Sequence, residues 1–296
     1  MPLISSNYVG NCQLVIDVGG TNIDIYRLKP NSFSYFLFDS LKSPNSGAEL
    51  YILLSSIIGN FSADFLILGL PGPVHNNSSI VFCPPLGFSI DITLIHQKHP
   101  NLYILNDTEC LSYVIVQQLL GANPLMCSNY NNTSGIICTI GTSFGLASYN
   151  YFQEVSSILV ESFEIAHIPL ILTSRLCEIL KDSQFSEFQY LLLDQHYSQV
   201  LSGIGFKKLT SLPSFLLLMN KLYPIITVTS SIDAFSLLIC ELFVSVCQLF
   251  APRSMSFILH GGVLNALDQD KLTSLFNHVF LTNNLKDVSL RFSCMQ

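Results

Sequence analysis

The chain has 296 residues and a formal net charge of −7, and only 11% of its residues are charged. A chain of this length can bury a sizeable core, as one large domain or two ordinary ones. The negative charge and the lack of a basic run argue against nucleic acid as a partner. We also expect no membrane span, because Cys110–Gln153 is broken by Gly, Pro and Asn residues and 225–250 contains Asp233 and Glu241.

The first predicted element is a hairpin around the hexapeptide DVGGTN, Asp17–Asn22. Gly19 and Gly20 suit an ordinary turn, since glycine adopts positive φ at little cost. A plain turn does not explain Asp17, because a carboxylate at the end of a buried-looking strand costs free energy unless something pairs with it. A hydrated metal ion would pair with Asp17, and the glycines would let backbone N–H groups approach phosphate oxygens. The stretch is therefore a hairpin turn or a phosphate-and-metal turn.

The next elements alternate between helix and strand. Ala48–Ile58 has a helical pattern, and Phe65–Leu70 is an apolar run that ends at a Pro-Gly-Pro sequence, which indicates a buried strand. Asn101–Asn106 is predicted as another strand. Glu109–Leu120 is predicted as a helix with Gly121 as its C-cap.

The second half repeats this layout. Residues 122–134 are polar and predict a loop. The predicted elements that follow are a strand, glycine turn and strand at Gly135–Asn150, a mostly helical segment at Leu170–Leu193, a long helix at Ile232–Phe250, and a strand at Ser256–Leu259 that runs into a Gly-Gly pair. Alternating strands and helices predict the α/β class, and the two strand–glycine turn–strand units suggest two lobes around a cleft.

The common nucleotide-binding loops are absent from the sequence. No G-x-x-x-x-G-K-[ST] segment occurs, and no G-x-G-x-x-G follows a predicted strand. A different ordered set of motifs is present: DVGGTN at Asp17–Asn22, GLPGPV at Gly69–Val74, ND at Asn106–Asp107, GTSFG at Gly141–Gly145, EIAH at Glu164–His167, VLSGIG at Val200–Gly205 and GGV at Gly261–Val263. In this order and spacing they resemble a bacterial-type glucokinase of the ROK/hexokinase class.

The resemblance implies a two-lobed actin-like ATPase (ribonuclease H-like) fold with a nucleotide and sugar cleft. It places a small α/β lobe at residues 1–108 and a large α/β lobe at residues 109–296. The implied activity is that of a glucokinase, the ATP-dependent phosphorylation of the 6-hydroxyl of glucose or a similar hexose in glycolysis. ATP and Mg²⁺ are the implied cofactors, and the resemblance allows a homodimer.

Site residues follow from the same resemblance. Asp17 would hold magnesium through water, and Asp107 would be the general base. Hexose would be bound by Asn106, Asp107, Glu164 and His167. The nucleotide would be bound by Asp17, Gly19, Gly20, Thr21, Asn22, Gly141, Thr142, Gly261 and Gly262.

Asp107 has two interpretations that the residues themselves leave open. An aspartate between a strand and a helix is a favoured N-cap. It is also suited to take a proton from a sugar hydroxyl, and one side chain can do both. For His167 a zinc site is rejected, because Cys177 stands alone downstream and zinc needs about four ligands.

Several residues depart from the family pattern. Ser198 falls where a second sugar-contacting glutamate is expected, Ser143 and Ala166 replace glycines, and we expect no closing helix of the family type at the end of the chain. These departures support the alternative of a degenerate, non-catalytic homologue that binds sugar or nucleotide. A sugar-responsive repressor would need a helix-turn-helix before the hairpin at Leu14, and we expect none.

The cysteines bear on the compartment. Nine are scattered without a CxxC pair, and several lie in apolar runs. No basic residue precedes Arg27, and no apolar signal core follows the N-terminus. We therefore expect reduced, mostly buried thiols and a cytoplasmic protein.

Overall fold

The computed structural model describes residues 4–5, 14–29, 35–60, 66–72, 74, 80–99, 102–122, 132–141, 144–152, 157–163, 169–193, 195–250, 255–285 and 288–292. The chain forms two compact units. Residues 1–134, 147–162 and 294–296 belong to the first unit, and residues 135–146 and 163–293 belong to the second. The division after residue 108 that the sequence suggested stays a prediction.

Strands and helices alternate through most of the chain, as the α/β class requires. The strands are β1 Ile4–Ser5, β2 Leu14–Val18, β3 Asn22–Leu28, β4 Tyr35–Lys42, β5 Leu66–Leu70, β6 Ile80–Cys83, β7 Phe88–Asp91, β8 Leu102–Asn106, β9 Asn132–Ile140, β10 Phe144–Phe152, β11 Ser157–Phe163, β12 Met255–His260 and β13 Val288–Phe292. The α-helices of four residues or more are Gly47–Asn60, Thr93–Lys98, Asp107–Ala122, Ser174–Leu180, Tyr197–Val200, Gly203–Thr210, Pro213–Leu222, Ser231–Phe250 and Gln269–Thr282. Further helical turns, of three or five residues, are Ser183–Phe185, Ser186–Phe188, Gln189–Leu193 and Gly262–Ala266.

The strands form three sheets. One has the order β4-β3-β2-β5-β8, another β1-β11-β10-β9-β12-β13, and β6 pairs with β7. In the five-stranded sheet, β2 is antiparallel to β3 and parallel to β5, and β5 is parallel to β8. The carboxyl ends of β2, β5 and β8 therefore lie at one edge, which is where ligands bind in open α/β sheets.

The core of the first unit lies on one face of the five-stranded sheet. Alternate residues of β2 and β3 point to that face, and they pack with the apolar side of helix Gly47–Asn60; the buried set includes Leu14, Ile16, Val18, Ile23, Ile25, Leu50, Leu54 and Ile58. Helix Asp107–Ala122 packs on β2, β5 and β8. The intervening residues of β2 and β3, Asp17 and Asp24 among them, point to the face opposite the core cluster.

The core of the second unit is built around helix Ser231–Phe250. Its side chains from Ala234 to Cys247 are buried on all sides, as expected of a helix that is apolar all round. Phe243 stacks on Phe257 of β12, with ring centroids 4.9 Å apart. This packing joins the helix to the strand that precedes Gly261.

Most predicted elements are confirmed, and two boundaries are wrong. Gly121 is not a C-cap, because helix Asp107–Ala122 continues through it; a glycine inside a helix costs only about 1 kcal/mol. Residues 132–134 belong to β9 rather than to a loop, since sheet hydrogen bonds come from the backbone. The described cysteines are free, and all but Cys177 are buried. No helix in the described part of the chain is long and apolar enough to cross a membrane.

Candidate active site

The DVGGTN segment forms a closed turn between β2 and β3. The Gly19 N–H donates to the Asn22 carbonyl at 2.8 Å. Ser43, just after β4, donates its Oγ–H to the Gly19 carbonyl at 2.7 Å and its N–H to the Thr21 carbonyl at 3.0 Å. The turn is thus held in place from β4, and the side chains of Thr21 and Asn22 remain exposed.

The two glycines of this turn are closely packed and do not have positive φ. Among the described residues, left-handed φ values occur at Gly87, Gly261 and Asn284, so the expectation for Gly19 and Gly20 is wrong. A Cβ on Gly19 would lie 3.0 Å from the Asn22 carbonyl oxygen, and a Cβ on Gly20 would lie 3.0 Å from Cβ of Pro85. Both contacts are tighter than usual for a Cβ, so a side chain at either position would require its neighbour to move by a few tenths of an ångström.

Asp17 lies in an environment that disfavours the charged form of its side chain. Its Oδ1 has almost no accessible surface, and no described residue hydrogen-bonds it. Burial, followed by the carboxylates of Asp107 and Asp24, raises its pKa well above the usual value. Such a group fits a hard cation, which takes oxygen ligands. The described residues contain no cluster of three metal-ligating side chains.

Asp107 lies near Asp17 because Gly69 has no side chain. Asp17 pairs with Gly69 across β2 and β5. A Cβ on Gly69 would lie 2.8 Å from Cβ of Cys110 and 3.3 Å from Cα of Asp107. The missing side chain lets the first turn of helix Asp107–Ala122 rest on the sheet beside Asp17.

Asn106 fixes the position of Asp107. Its Nδ2 donates to the Gly72 carbonyl at 3.1 Å, and its Oδ1 accepts from the Thr108 N–H at 3.0 Å. Asn106 therefore occupies the N-cap position and ties the helix to the turn after β5. Asp107 is the first helical residue, and its Oδ1 also accepts from the Thr108 N–H, at 2.7 Å. The N-cap role considered for Asp107 falls mainly to Asn106.

In the second unit, the glycine turn after β9 is joined to the VLSGIG segment. The Gly203 N–H donates to the Gly141 carbonyl at 2.7 Å. Ser202 is the N-cap of helix Gly203–Thr210, and its Oγ accepts from the Gly205 N–H at 3.2 Å. A Cβ on Gly205 would lie 2.2 Å from the Val200 carbonyl oxygen, so only glycine fits there.

The Gly-Gly pair after β12 lies beside the same turn. Strands β9 and β12 are parallel, so Gly141 and Gly261 follow their strands at one edge of the sheet. Gly261 has a φ of 124°, and a Cβ there would lie 2.3 Å from the Ile140 carbonyl oxygen. Gly262 has open space around its Cα. The structure thus brings together three of the predicted glycine segments of the second unit.

Some predicted site residues are not described. Glu164, His167, Thr142, Ser143 and Ala166 lie outside the described residues, so their roles stay predictions. Ser198 lies in the short helix Tyr197–Val200 and is half-buried.

Sequence reasoning missed residues around Asp17 and Asp107. Asp24 pairs directly with Asp17 across the hairpin, and its symmetric place about the turn was a usable signal. Burial and then the Asp107 carboxylate raise the pKa of the Cys83 thiol to about 11, so this thiol stays protonated. Burial, Asp17 and Asp24 likewise raise the pKa of Tyr26, whose hydroxyl also stays protonated.

The chain has the actin-like ATPase fold, which it shares with solved structures of glucokinases. No protein-family model matches the chain, and no curated protein sequence does. Among solved structures, a glucokinase from an Antarctic psychrotroph is 19% identical, with 96% of this chain and 94% of that chain covered and a TM-score of 0.58. A ROK family glucokinase from Streptomyces griseus, in complex with glucose and AMPPNP, is 13% identical, with coverage of 95% and 94% and a TM-score of 0.59.

A third similar structure has a different role. It is a ROK family transcriptional regulator, a homologue of the E. coli MLC protein, at 14% identity and a TM-score of 0.56; the match covers 97% of this chain and 74% of that one. At these identities the likeness confirms the predicted fold but does not establish the activity.

Proposed function

We propose that this protein is an ATP-dependent hexose kinase that phosphorylates the 6-hydroxyl of glucose or a similar hexose in the cytoplasm. The observation that supports this most is the position of Asp107. It begins a helix at the carboxyl ends of parallel strands, near Asp17, whose buried Oδ1 accepts no hydrogen bond from the described residues. The fold is similar to that of glucokinases, one of which is solved with glucose and AMPPNP.

In this proposal Asp107 is the general base. Its side chain is half-buried at the helix start, where the Thr108 N–H donates to Oδ1. The carboxylate would orient the sugar hydroxyl and accept its proton as the hydroxyl oxygen bonds to the γ-phosphorus of ATP and the bond from that phosphorus to ADP, the leaving group, breaks. Asn106, Glu164 and His167 would contact the other sugar hydroxyls. Asn106 already uses its Oδ1 and one Nδ2 hydrogen for hydrogen bonds within the protein. Its main contribution to sugar binding would therefore be to hold Asp107 in position.

Asp17 would hold magnesium through water. Its buried Oδ1 without a described partner and the neighbouring carboxylates fit a cation bound to oxygen. Bound magnesium would offset the negative charge of the transferred phosphoryl group. The turn at Gly19–Asn22 would face the phosphates, with Thr21 and Asn22 contributing side chains. In the second unit, Gly141, Thr142, Gly261 and Gly262 would contact the nucleotide.

A second candidate is a protein that binds sugar or nucleotide without turnover. Ser198, in place of the expected glutamate, favours it. A lost charge-assisted hydrogen bond of about 1.5–3 kcal/mol weakens hexose binding by about 10- to 100-fold. The first candidate is preferred because Asp17, Asn106 and Asp107 are all present.

The test of this function is Asp107→Asn. The change keeps the size of the side chain and an acceptor for the Thr108 N–H, but removes the base. We expect turnover of ATP with glucose to fall by about 10²-fold or more, with sugar binding retained in calorimetry.

The matched control is Asp91→Asn. Asp91 also precedes a helix, where its Oδ1 accepts from the Thr93 N–H at 2.9 Å, but it is exposed and is not one of the carboxylates that raise the pKa of Asp17. Its turnover should equal that of the wild type. If Asp107→Asn and Asp91→Asn have the same turnover, Asp107 has no part in the mechanism.

A further inference from the structure

A polar row crosses the face of the five-stranded sheet opposite the core cluster. Asp17 of β2 pairs with Asp24 of β3, and Asp24 pairs with Ser40 of β4. Residues directly opposite in antiparallel strands project to the same face, with Cβ atoms about 4.5–5.5 Å apart. Two carboxylates are thus side by side on the sheet, next to the turn assigned above to the phosphates.

Ser40 fixes the orientation of Asp24. Its Oγ–H donates to Oδ1 of Asp24 at 2.5 Å. No other hydrogen bond to Asp24 is made by the described residues, so Oδ2 is available on the half-buried side chain. The row therefore offers two carboxylates with fixed positions rather than two mobile surface charges.

The described residues supply no cation to this row. The ion pairs they form join Lys221 to Asp182 and Lys271 to Asp233, all in the second unit. Like charges directly opposite each other destabilise a sheet, and a buried carboxylate without a partner costs more. The buried Oδ1 of Asp17, which no described residue hydrogen-bonds, is independent evidence that a ligand belongs there.

We propose that Asp24 is a second carboxylate of the cation site, which binds the water shell of the divalent cation together with Asp17. The inference rests on the proposed function for the identity of the cation. Two carboxylates with water between them and the metal suit Mg²⁺, which keeps several waters and needs few protein ligands. The described residues contain no cluster of three ligands, which agrees with binding through water.

The test measures binding of Mn²⁺, as a spectroscopic substitute for Mg²⁺, to the full chain at constant pH with and without ATP. The amount of free Mn²⁺ is read by electron paramagnetic resonance. Asp24→Asn should weaken Mn²⁺ binding by about 10-fold, the scale of one charge-assisted contact. Ser40→Ala keeps the charge but releases the carboxylate, so it should weaken binding less.

The matched control is Asp39→Asn. Asp39 lies next to Ser40 but pairs with Ile25, so it projects to the opposite face of the sheet. The Asp39→Asn variant removes the same charge as Asp24→Asn and should leave Mn²⁺ binding unchanged. Melting temperatures, with and without Mn²⁺, check that each variant is folded.

Three results would overturn the proposal: equal effects of Asp24→Asn and Asp39→Asn, tighter binding in Asp24→Asn, or no Mn²⁺ binding by the wild type. None of these binding measurements depends on catalytic turnover. A chain that binds Mn²⁺ through Asp24 but forms no hexose phosphate would contradict the proposed kinase activity and leave the role of Asp24 intact.

Discussion

Gly69→Ala tests how the site is assembled. The added Cβ would lie 2.8 Å from Cβ of Cys110, 3.1 Å from its Sγ and 3.3 Å from Cα of Asp107. Carbon atoms in good contact lie about 3.5–4.0 Å apart, so the start of the helix has to retreat by about 1 Å. The Cys110 sulfur can rotate away, but its Cβ and the backbone of Asp107 cannot.

The shift should affect both stability and catalysis. Overpacking of this kind costs about 1–3 kcal/mol of unfolding free energy. A displacement of about 1 Å at a catalytic group can lower the rate by about 10²-fold, because the reacting atoms lose their alignment. Urea unfolding and a coupled assay of ADP release measure the two effects.

Two further variants make the test specific. Gly59→Ala adds the same methyl group in helix Gly47–Asn60, where nothing lies within 4 Å of the new Cβ, and should be neutral or stabilising by up to about 1 kcal/mol. Cys110→Gly removes the contacting atoms, so in the double variant it should recover part of the loss caused by Gly69→Ala. If Gly69→Ala matches Gly59→Ala in stability and turnover, the contact does not position Asp107.

Three other variants test separate features. Burial and then Glu161 raise the pKa of Glu109 to about 7, above its unfolded value near 4.3, so the stability that protonated Glu109 contributes is lost as the pH rises between these values. Glu109→Gln should remove this loss, so that between pH 4 and 8 its unfolding free energy rises relative to that of the wild type by up to about 3 kcal/mol. If urea unfolding gives the wild type and the variant the same dependence of stability on pH, this expectation is wrong. Ser198→Glu should lower the KM for glucose by about 10-fold or more without changing ATP affinity, whereas an unaltered KM and melting temperature would show that position 198 does not face the sugar. Tyr223→Phe removes a hydroxyl that donates to the buried Glu241 carboxylate, so the free energy of unfolding in urea should fall by about 1–3 kcal/mol. A fall of less than about 0.5 kcal/mol would show that this hydrogen bond contributes little to stability.

The order of elements around the site could be predicted from the sequence. The hairpin at Asp17–Asn22 and the strand–helix junction at Asn106–Asp107 both have local signals, in turn residues and in the change from apolar runs to helical periodicity. The division of roles at the junction could not be predicted. Asn and Asp are both good N-caps, and only the observed helix start shows that Asn106 has that position.

Residues that act through tertiary contacts could not be found from local patterns. The role of Gly69 depends on helix Asp107–Ala122 resting on β5, which no spacing along the chain reveals. The helical signal in Leu170–Leu193 was correct, but the segment breaks into short turns. Asp182 accepts from the Gln184 N–H at 3.1 Å and so starts a new turn, as short polar side chains do when they compete with the helix backbone.

The most direct test of the central claim is a single assay with glucose, ATP and Mg²⁺. It follows ADP release by the folded wild-type chain and identifies the sugar product by phosphorus NMR. The proposal predicts ADP and hexose 6-phosphate in equal amounts, with both lost in Asp107→Asn. Glucose and ATP binding in calorimetry without any sugar phosphate would contradict it and establish the non-catalytic binding protein instead.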